Sequence, residues 1–173
     1  MGITYSPTEC SAKAGQKRTI GTYQIYHSGV PQEKLKGTTV ETKGLGDNNV
    51  AGNGRRVEAG KYPVATQAGS HYVTLGYLIS NDSDQTPKPG LELRHTGNRS
   101  EILVHPGHGF LASIGCINLT RALANGNTDI PFVDSRDRII AAITDLQTFA
   151  GTAFPHHNGQ PIDNAWVVID GEP

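Results

Sequence analysis

Two residue types that together can open an amide lie close to one another in this chain: His105, at the end of an apolar run, and Cys116, set between Gly115 and Ile117 eleven positions later. A thiolate is the attacking species, and a neighbouring imidazole takes its proton and returns it to the leaving group. Gly115 lets a substrate backbone approach the sulfur closely. Ser113 can hydrogen-bond within the cysteine turn or to a substrate. The backbone N–H groups around Gly115 and Cys116 are candidates for an oxyanion hole. Asn118 can orient either the loop or the substrate. His95 and His108 compete with His105 as base or line the same pocket, and His108 is expected on a lid loop with Phe110.

Duller and rival readings fit the same residues. Free cysteines are among the most buried residue types, so Cys116 can be an inert core thiol. A histidine ending a strand can simply be satisfied there. A papain-like endopeptidase or amidase would use His156 or His157 as base, but those two sit in a Pro/Gly/Asn loop and the helical stretch after Cys116 is short. A zinc site built on His105-x-x-His108 and His95 lacks an Asp or Glu at helical spacing. No metal and no cofactor is therefore expected.

The elements that must position these groups read mainly as strands. Thr19–His27, Thr38–Thr42, Tyr72–Ser80, Leu91–His95, Glu101–His105 and Ala165–Asp170 are β-branched, aromatic or alternating. Gly60 marks a bend between two short extended pieces. Gly44–Gly54 and Asn81–Gly90 are loops, Val30–Gly37 is a turn-and-lysine segment, and residues 1–18 are polar enough to form an arm. Leu119–Asn125 allows one or two helical turns. Ser135–Thr148 is the one sustained helix, with Ile139, Ile140, Ile143 and Leu146 on one face and Arg136, Asp137 and Asp145 towards water. One mostly β, α+β domain over 1–173 follows. Its 21 glycines and 10 prolines suit a turn-rich sheet protein better than a bundle.

A net charge of −1 gives no electrostatic case for nucleic acid or an anionic membrane surface. Two cysteines, Cys10 and Cys116, do not make a disulfide framework. No ordinary signal peptide and no run long enough to span a bilayer is read, so membrane insertion is not expected.

The segment Ser113–Thr120 (SIGCINLT) resembles the signature of the L,D-transpeptidase catalytic domain, Ser/Thr-His-Gly-Cys followed by an apolar residue and Asn or Arg. Val104–Gly107 (VHPG) is similar to the segment carrying that family's catalytic histidine, and Val57–Val64 (VEAGKYPV) to its Pro-x-Gly-x-Tyr/Phe hairpin. The likeness runs over roughly residues 38–120, and only the cysteine segment is highly specific. Ile114 stands where the family has a histidine, and the His–Cys spacing is shorter than in the larger enzymes, as in phage- and secretion-associated branches. The resemblance implies an L,D-transpeptidase-like β-sandwich or barrel acting on peptidoglycan. Cys116 would attack the carbonyl at the L-centre of meso-diaminopimelate in a tetrapeptide stem. A thioester forms, and water, a diaminopimelate amine or a D-amino acid resolves it. It implies a backbone carbonyl within Pro106–His108 as the partner of the second His105 nitrogen. Arg94, Arg99 and Arg121 become candidates to grip the stem-peptide carboxylate. A chain made in the cytoplasm without a signal peptide would reach the periplasm of target cells through a type VI secretion apparatus or phage-assisted release. A producer would need a cognate immunity protein. From another class, the same likeness fits a non-catalytic wall-binding or phage structural module that has kept the fold.

Overall fold

A computed structural model describes residues 1–172, with Glu9 described by its backbone only. The strands are β1 (Gly2–Lys13), β2 (Gln16–His27), β3 (Val30–Thr42), β4 (Gly60–Thr66), β5 (Tyr72–Val73), β6 (Lys88–Pro89), β7 (Leu91–Leu93), β8 (Leu103–His105), β9 (Ile117–Thr120) and β10 (Pro161–Ile169). One helix, α1 (Phe132–Ala150), lies between β9 and β10. Eight strands close into a barrel in the order β1–β10–β4–β7–β8–β9–β3–β2, while β5 and β6 form a separate parallel pair.

Closure depends on the segment whose polarity suggests an arm. Residues 1–18 are instead strand: β1 pairs antiparallel with β2 and, from Gly2 to Tyr5, parallel with β10. Ile3 and Tyr5 point inward and are buried, alternating with half-buried Thr4 and Ser6. Only two large apolar side chains mark the inner face, which is why the period-2 signal is faint. Val30–Gly37 is likewise the first half of β3 rather than a turn; its lysines lie on a solvent-facing stretch. Leu119–Asn125 is not helical. Leu119 and Thr120 end β9, buried between β3 and β8, and the residues after them form turns. Sheet pairing outweighs the helix propensity of that short run.

The core joins Ile3, Ile25, Val64, Leu91, Leu93, Val104, Ile117 and Leu119 of the barrel to Ile139, Ala142, Ile143 and Leu146 of α1. Each large apolar side chain taken fully out of water contributes about 1.5–3 kcal/mol. Ile140 is half-exposed and Ala142 takes its place on the buried face. Arg136 is buried rather than solvent-facing. Its guanidinium reaches the Ser80 carbonyl at 2.5 Å and Asn81 Oδ1 at 2.8 Å, fastening the loop after β5 to the helix. No helix among the described residues is long and apolar enough to cross a membrane.

Close packing inside the barrel requires Gly21. A Cβ there would lie 2.1 Å from Tyr5 Cε2 and 2.8 Å from Thr39 Oγ1. Beside this crossing sits a sealed charged cluster. Glu41 and Arg56 are both fully buried, with Arg56 Nη1 3.9 Å from Glu41 Oε1. Arg56 also pairs with Glu172 and donates to the Gly171 carbonyl at 3.1 Å. Tyr5 approaches the Glu41 carboxylate without meeting hydrogen-bond geometry, and neither Glu41 oxygen has a hydrogen-bond partner among the described residues. Burial therefore wins over Tyr5 and Arg56, and the Glu41 carboxyl is pushed up to about 7.

Candidate functional site

Parallel pairing of β8 with β9 puts Val104 beside Ile117 and His105 beside Asn118, so the strand carrying the histidine and the strand entered from the cysteine are neighbours. His105 and Cys116 line one cleft of about 370 Å³, together with Gln67, Ser70, Tyr72 and Glu101. Two larger surface grooves, one over β1–β3 and one between β3 and α1, contain neither a cysteine nor a histidine.

The histidine is held in one tautomer. Its Nδ1 lies 2.8 Å from the Pro106 carbonyl, which can only accept, so Nδ1 carries the hydrogen and Nε2 keeps a free lone pair. The Tyr72 ring lies against the imidazole, 4.3 Å between centroids and tilted by 39°. Asn118 Nδ2 donates to the His105 carbonyl at 3.0 Å. Ser135 of α1 accepts from Gly107 N–H at 2.8 Å and donates to the Leu119 carbonyl at 2.5 Å, bracing the turn after His105 against β9. Further along, Arg18 from β2 donates to the Phe110, Gly126 and Thr128 carbonyls, so the barrel wall organises the chain on both sides of β9. Burial drops the His105 pKa to about 4, against a smaller upward pull from the Pro106 carbonyl. The imidazole is thus neutral and available as a base at neutral pH.

The cysteine turn is equally constrained. Ser113 Oγ lies 3.2 Å from both the Cys116 carbonyl and Asn118 Oδ1, and its single hydrogen serves one of them at a time. Gly115 has φ +99°, and a Cβ on it would strike the Arg99 guanidinium at 1.9 Å. Only glycine allows both the left-handed backbone and that packing. Cys116 is half-buried. Leu103 N–H donates to Sγ at 3.3 Å, and Sγ lies 3.5 Å from the Glu101 carbonyl. Burial pushes the thiol up, while Leu103 N–H and the Arg99 guanidinium pull it down. Both shifts favour the neutral forms, a thiol and an imidazole that share the cleft without a hydrogen bond between them among the described residues.

The remaining candidates separate clearly. Asn118 is fully buried and tied to His105 and Ser113, so it positions the site from behind. Arg99 is buried and donates to the Arg56 carbonyl at 2.9 Å; it supports the cysteine turn from beneath. Arg94 pairs with Glu92 at 3.0 Å and Arg121 with Asp134 at 3.7 Å, and neither lines the cleft. His95, with φ +61°, and His108 are exposed and also outside its lining. His156 and His157 are exposed on the loop before β10. Ile114 is 70% exposed and borders Gly54 on a separate surface depression rather than the cleft. Among the described residues no three His, Cys, Asp or Glu side chains converge as a metal site. Both cysteines are free.

Sequence reasoning missed Gln67, Ser70, His71, Tyr72 and Glu101 as cleft walls. The aromatic wall was readable only as part of a longer strand, of which Tyr72–Val73 alone is formed. The chain matches no family model, no curated protein and no solved structure.

Proposed function

We propose that this protein is a cysteine-dependent peptidoglycan enzyme of the L,D-transpeptidase/L,D-carboxypeptidase type, built on an L,D-transpeptidase-like form of the mostly β barrel. The observation that carries the reading is the shared cleft: a half-buried sulfur and a buried imidazole whose Nδ1 is occupied, leaving Nε2 as proton acceptor. Sγ gives its proton to His105 Nε2 as it bonds to the carbonyl carbon at the L-centre of the diaminopimelate residue. N–H groups of the Gly115–Cys116 turn hold the developing oxyanion. His105 returns the proton to the departing amine as the C–N bond breaks, leaving a thioester. Water, deprotonated by His105, or an amine then breaks the C–S bond and the sulfur regains a proton. The site residues of this proposal are Cys116 and His105, with Ser113, Gly115 and Asn118 shaping the turn.

Digestion of purified sacculi, with muropeptides identified by mass, tests this. Tripeptide stems, 3-3 dimers or D-amino-acid exchange products made by the wild type and absent with Cys116→Ala are expected; unchanged muropeptides overturn it. Delivery to the periplasm of target cells by a dedicated secretion system, and an immunity protein plugging the cleft, belong to the same proposal. Toxicity on periplasmic but not cytoplasmic expression is the expected outcome, and equal harmlessness contradicts it.

A further inference from the structure

A polar side chain of the cleft is buried without being satisfied. Gln67 is 6% exposed and lines the cleft with His105 and Cys116, and its side-chain amide has no hydrogen-bond partner among the described residues. Its backbone, by contrast, is fixed twice by one residue. Gln67 N–H donates to Thr74 Oγ1 at 2.7 Å, and the Gln67 carbonyl accepts from Thr74 N–H at 3.1 Å. Thr74 Oγ1 gives its own hydrogen to the Gly90 carbonyl at 2.5 Å. Gly69 keeps room for the amide, since a Cβ there would lie 2.9 Å from Gln67 Nε2. A buried amide without a partner is unfavourable and uncommon. One held in place at the wall of a reactive cleft is satisfied when a ligand with a matching donor and acceptor enters.

Strand register fixes which part of a ligand the amide meets. Thr66 pairs with Leu91, Leu91 with Val104, and Val104 with Ile117. Gln67, His105 and Cys116 each flank that row by one residue, so all three fall on the opposite face of the sheet. In strand order His105, on β8, lies between Gln67, just past β4, and Cys116, at the entry to β9. Between Gln67 and His105 the sheet presents Gly90, where a Cβ would come within 3.2 Å of Tyr72 Cβ. The imidazole protonates the leaving nitrogen beside the sulfur, so the departing residue runs past His105 towards Gln67. An extended residue turns its N–H and its carbonyl oxygen to one edge, where an antiparallel partner bonds both. A primary amide offers one acceptor and one donor to that edge.

We propose that Gln67 is a substrate-binding residue that reads the main chain of the departing residue: Oε1 accepts the N–H of the scissile amide and Nε2 donates to a main-chain oxygen of the same residue. This rests on the acyl-transfer reading above. It gives the leaving side of the cleft a neutral, two-bond contact, in keeping with a lining that contains no lysine or arginine.

The test compares a stem tetrapeptide with its ester analogue, in which oxygen replaces the scissile N–H, on wild type, Gln67→Met and Gln67→Leu. Both variants keep most of the side-chain volume and leave the backbone bonds to Thr74 in place. Turnover is measured, and so is protection of Cys116 by each ligand from methyl methanethiosulfonate, a thiol reagent without an amide. Both variants should raise KM for the peptide about 10- to 100-fold with kcat within about threefold, the loss of two hydrogen bonds made in the ground state. On the ester, where one of those bonds is already missing, the same variants should cost about 3- to 10-fold. Unchanged KM, an equal loss on peptide and ester, or a loss carried by kcat alone overturns the role of Gln67 and leaves the acyl-transfer reading standing. Protection by the peptide without turnover, lost in both variants, supports the Gln67 contact and contradicts the acyl-transfer reading. Protection without turnover that the variants retain overturns both, as does the absence of turnover and protection alike.

Discussion

Two buried sets of titratable groups in this barrel differ in access and in how their side chains are held. Glu41 and Arg56 have no exposed surface and line none of the clefts described above, and Glu41 lacks hydrogen bonds among the described residues. His105 is almost as buried, at 3% exposure, yet it borders a cleft of about 370 Å³ and is oriented by a carbonyl, an aromatic ring and a buried amide. Desolvation drives one member of each set away from its charged form, Glu41 upward and His105 downward. A perturbed titration alone therefore does not mark an active site. A cysteine, an oriented lone pair and room for a ligand make the second set the candidate.

The largest expected effect separates the two sets outright. Cys116→Ala should lower turnover of stem peptides by about four orders of magnitude or more, with the melting temperature held within a few degrees. A residual rate near wild type would make the cleft incidental. His105→Gln should cost about 10²–10⁴-fold and slow alkylation of Cys116 at neutral pH. In the wild type the acid limb of kcat/KM should fall near pH 4, where His105 titrates, rather than near 6.5; a limb at 6.5 would mean another base.

The sealed cluster should respond in stability instead. Arg56→Leu strips the buried carboxylate of its counter-charge and should cost about 3–5 kcal/mol above pH 7. The cost should shrink in acid as Glu41 protonates. Urea unfolding at pH 5 and pH 8 reads the difference, and a pH-independent cost would contradict the role of Glu41.

Smaller still is the pH dependence of the wild type. Glu41, with a folded pKa raised to about 7, favours the folded state at low pH, and that contribution is lost as pH rises from about 4.5 to 7. His105, lowered to about 4, contributes above about 6.5, and that is lost as pH falls towards 4. The two slopes oppose each other over nearly the same window. Glu41→Gln should expose the histidine slope alone, so stability should then rise from pH 4 to 6.5 by roughly 1–3 kcal/mol. The least effect is expected from Arg121→Ala, whose exposed ion pair contributes about 0–1 kcal/mol and lies off the cleft.

These contrasts also show what the chain discloses before folding. The mostly β character, the helix near Ser135–Thr148 and the region of Cys116 and His105 are legible because local pattern dictates them. β1 is not, because its inner face carries only Ile3 and Tyr5 among hydroxyls, and its pairing with β10 spans nearly the whole chain. Arg99 and Asn118 look like ligand-binding residues in sequence, where a buried bond to a backbone carbonyl cannot be seen. Tyr72 and Glu101 reach the site through the two-residue β5 and the left-handed Glu101 backbone at φ +55°, features with no periodicity to read.

The most direct measurement is the intact mass of the protein after brief incubation with a stem tetrapeptide and acid quench. The account predicts a covalent adduct on Cys116 equal to the peptide less its C-terminal residue, slower to form in His105→Gln and absent in Cys116→Ala. An unmodified protein under conditions of turnover, or an adduct that survives Cys116→Ala, would contradict it.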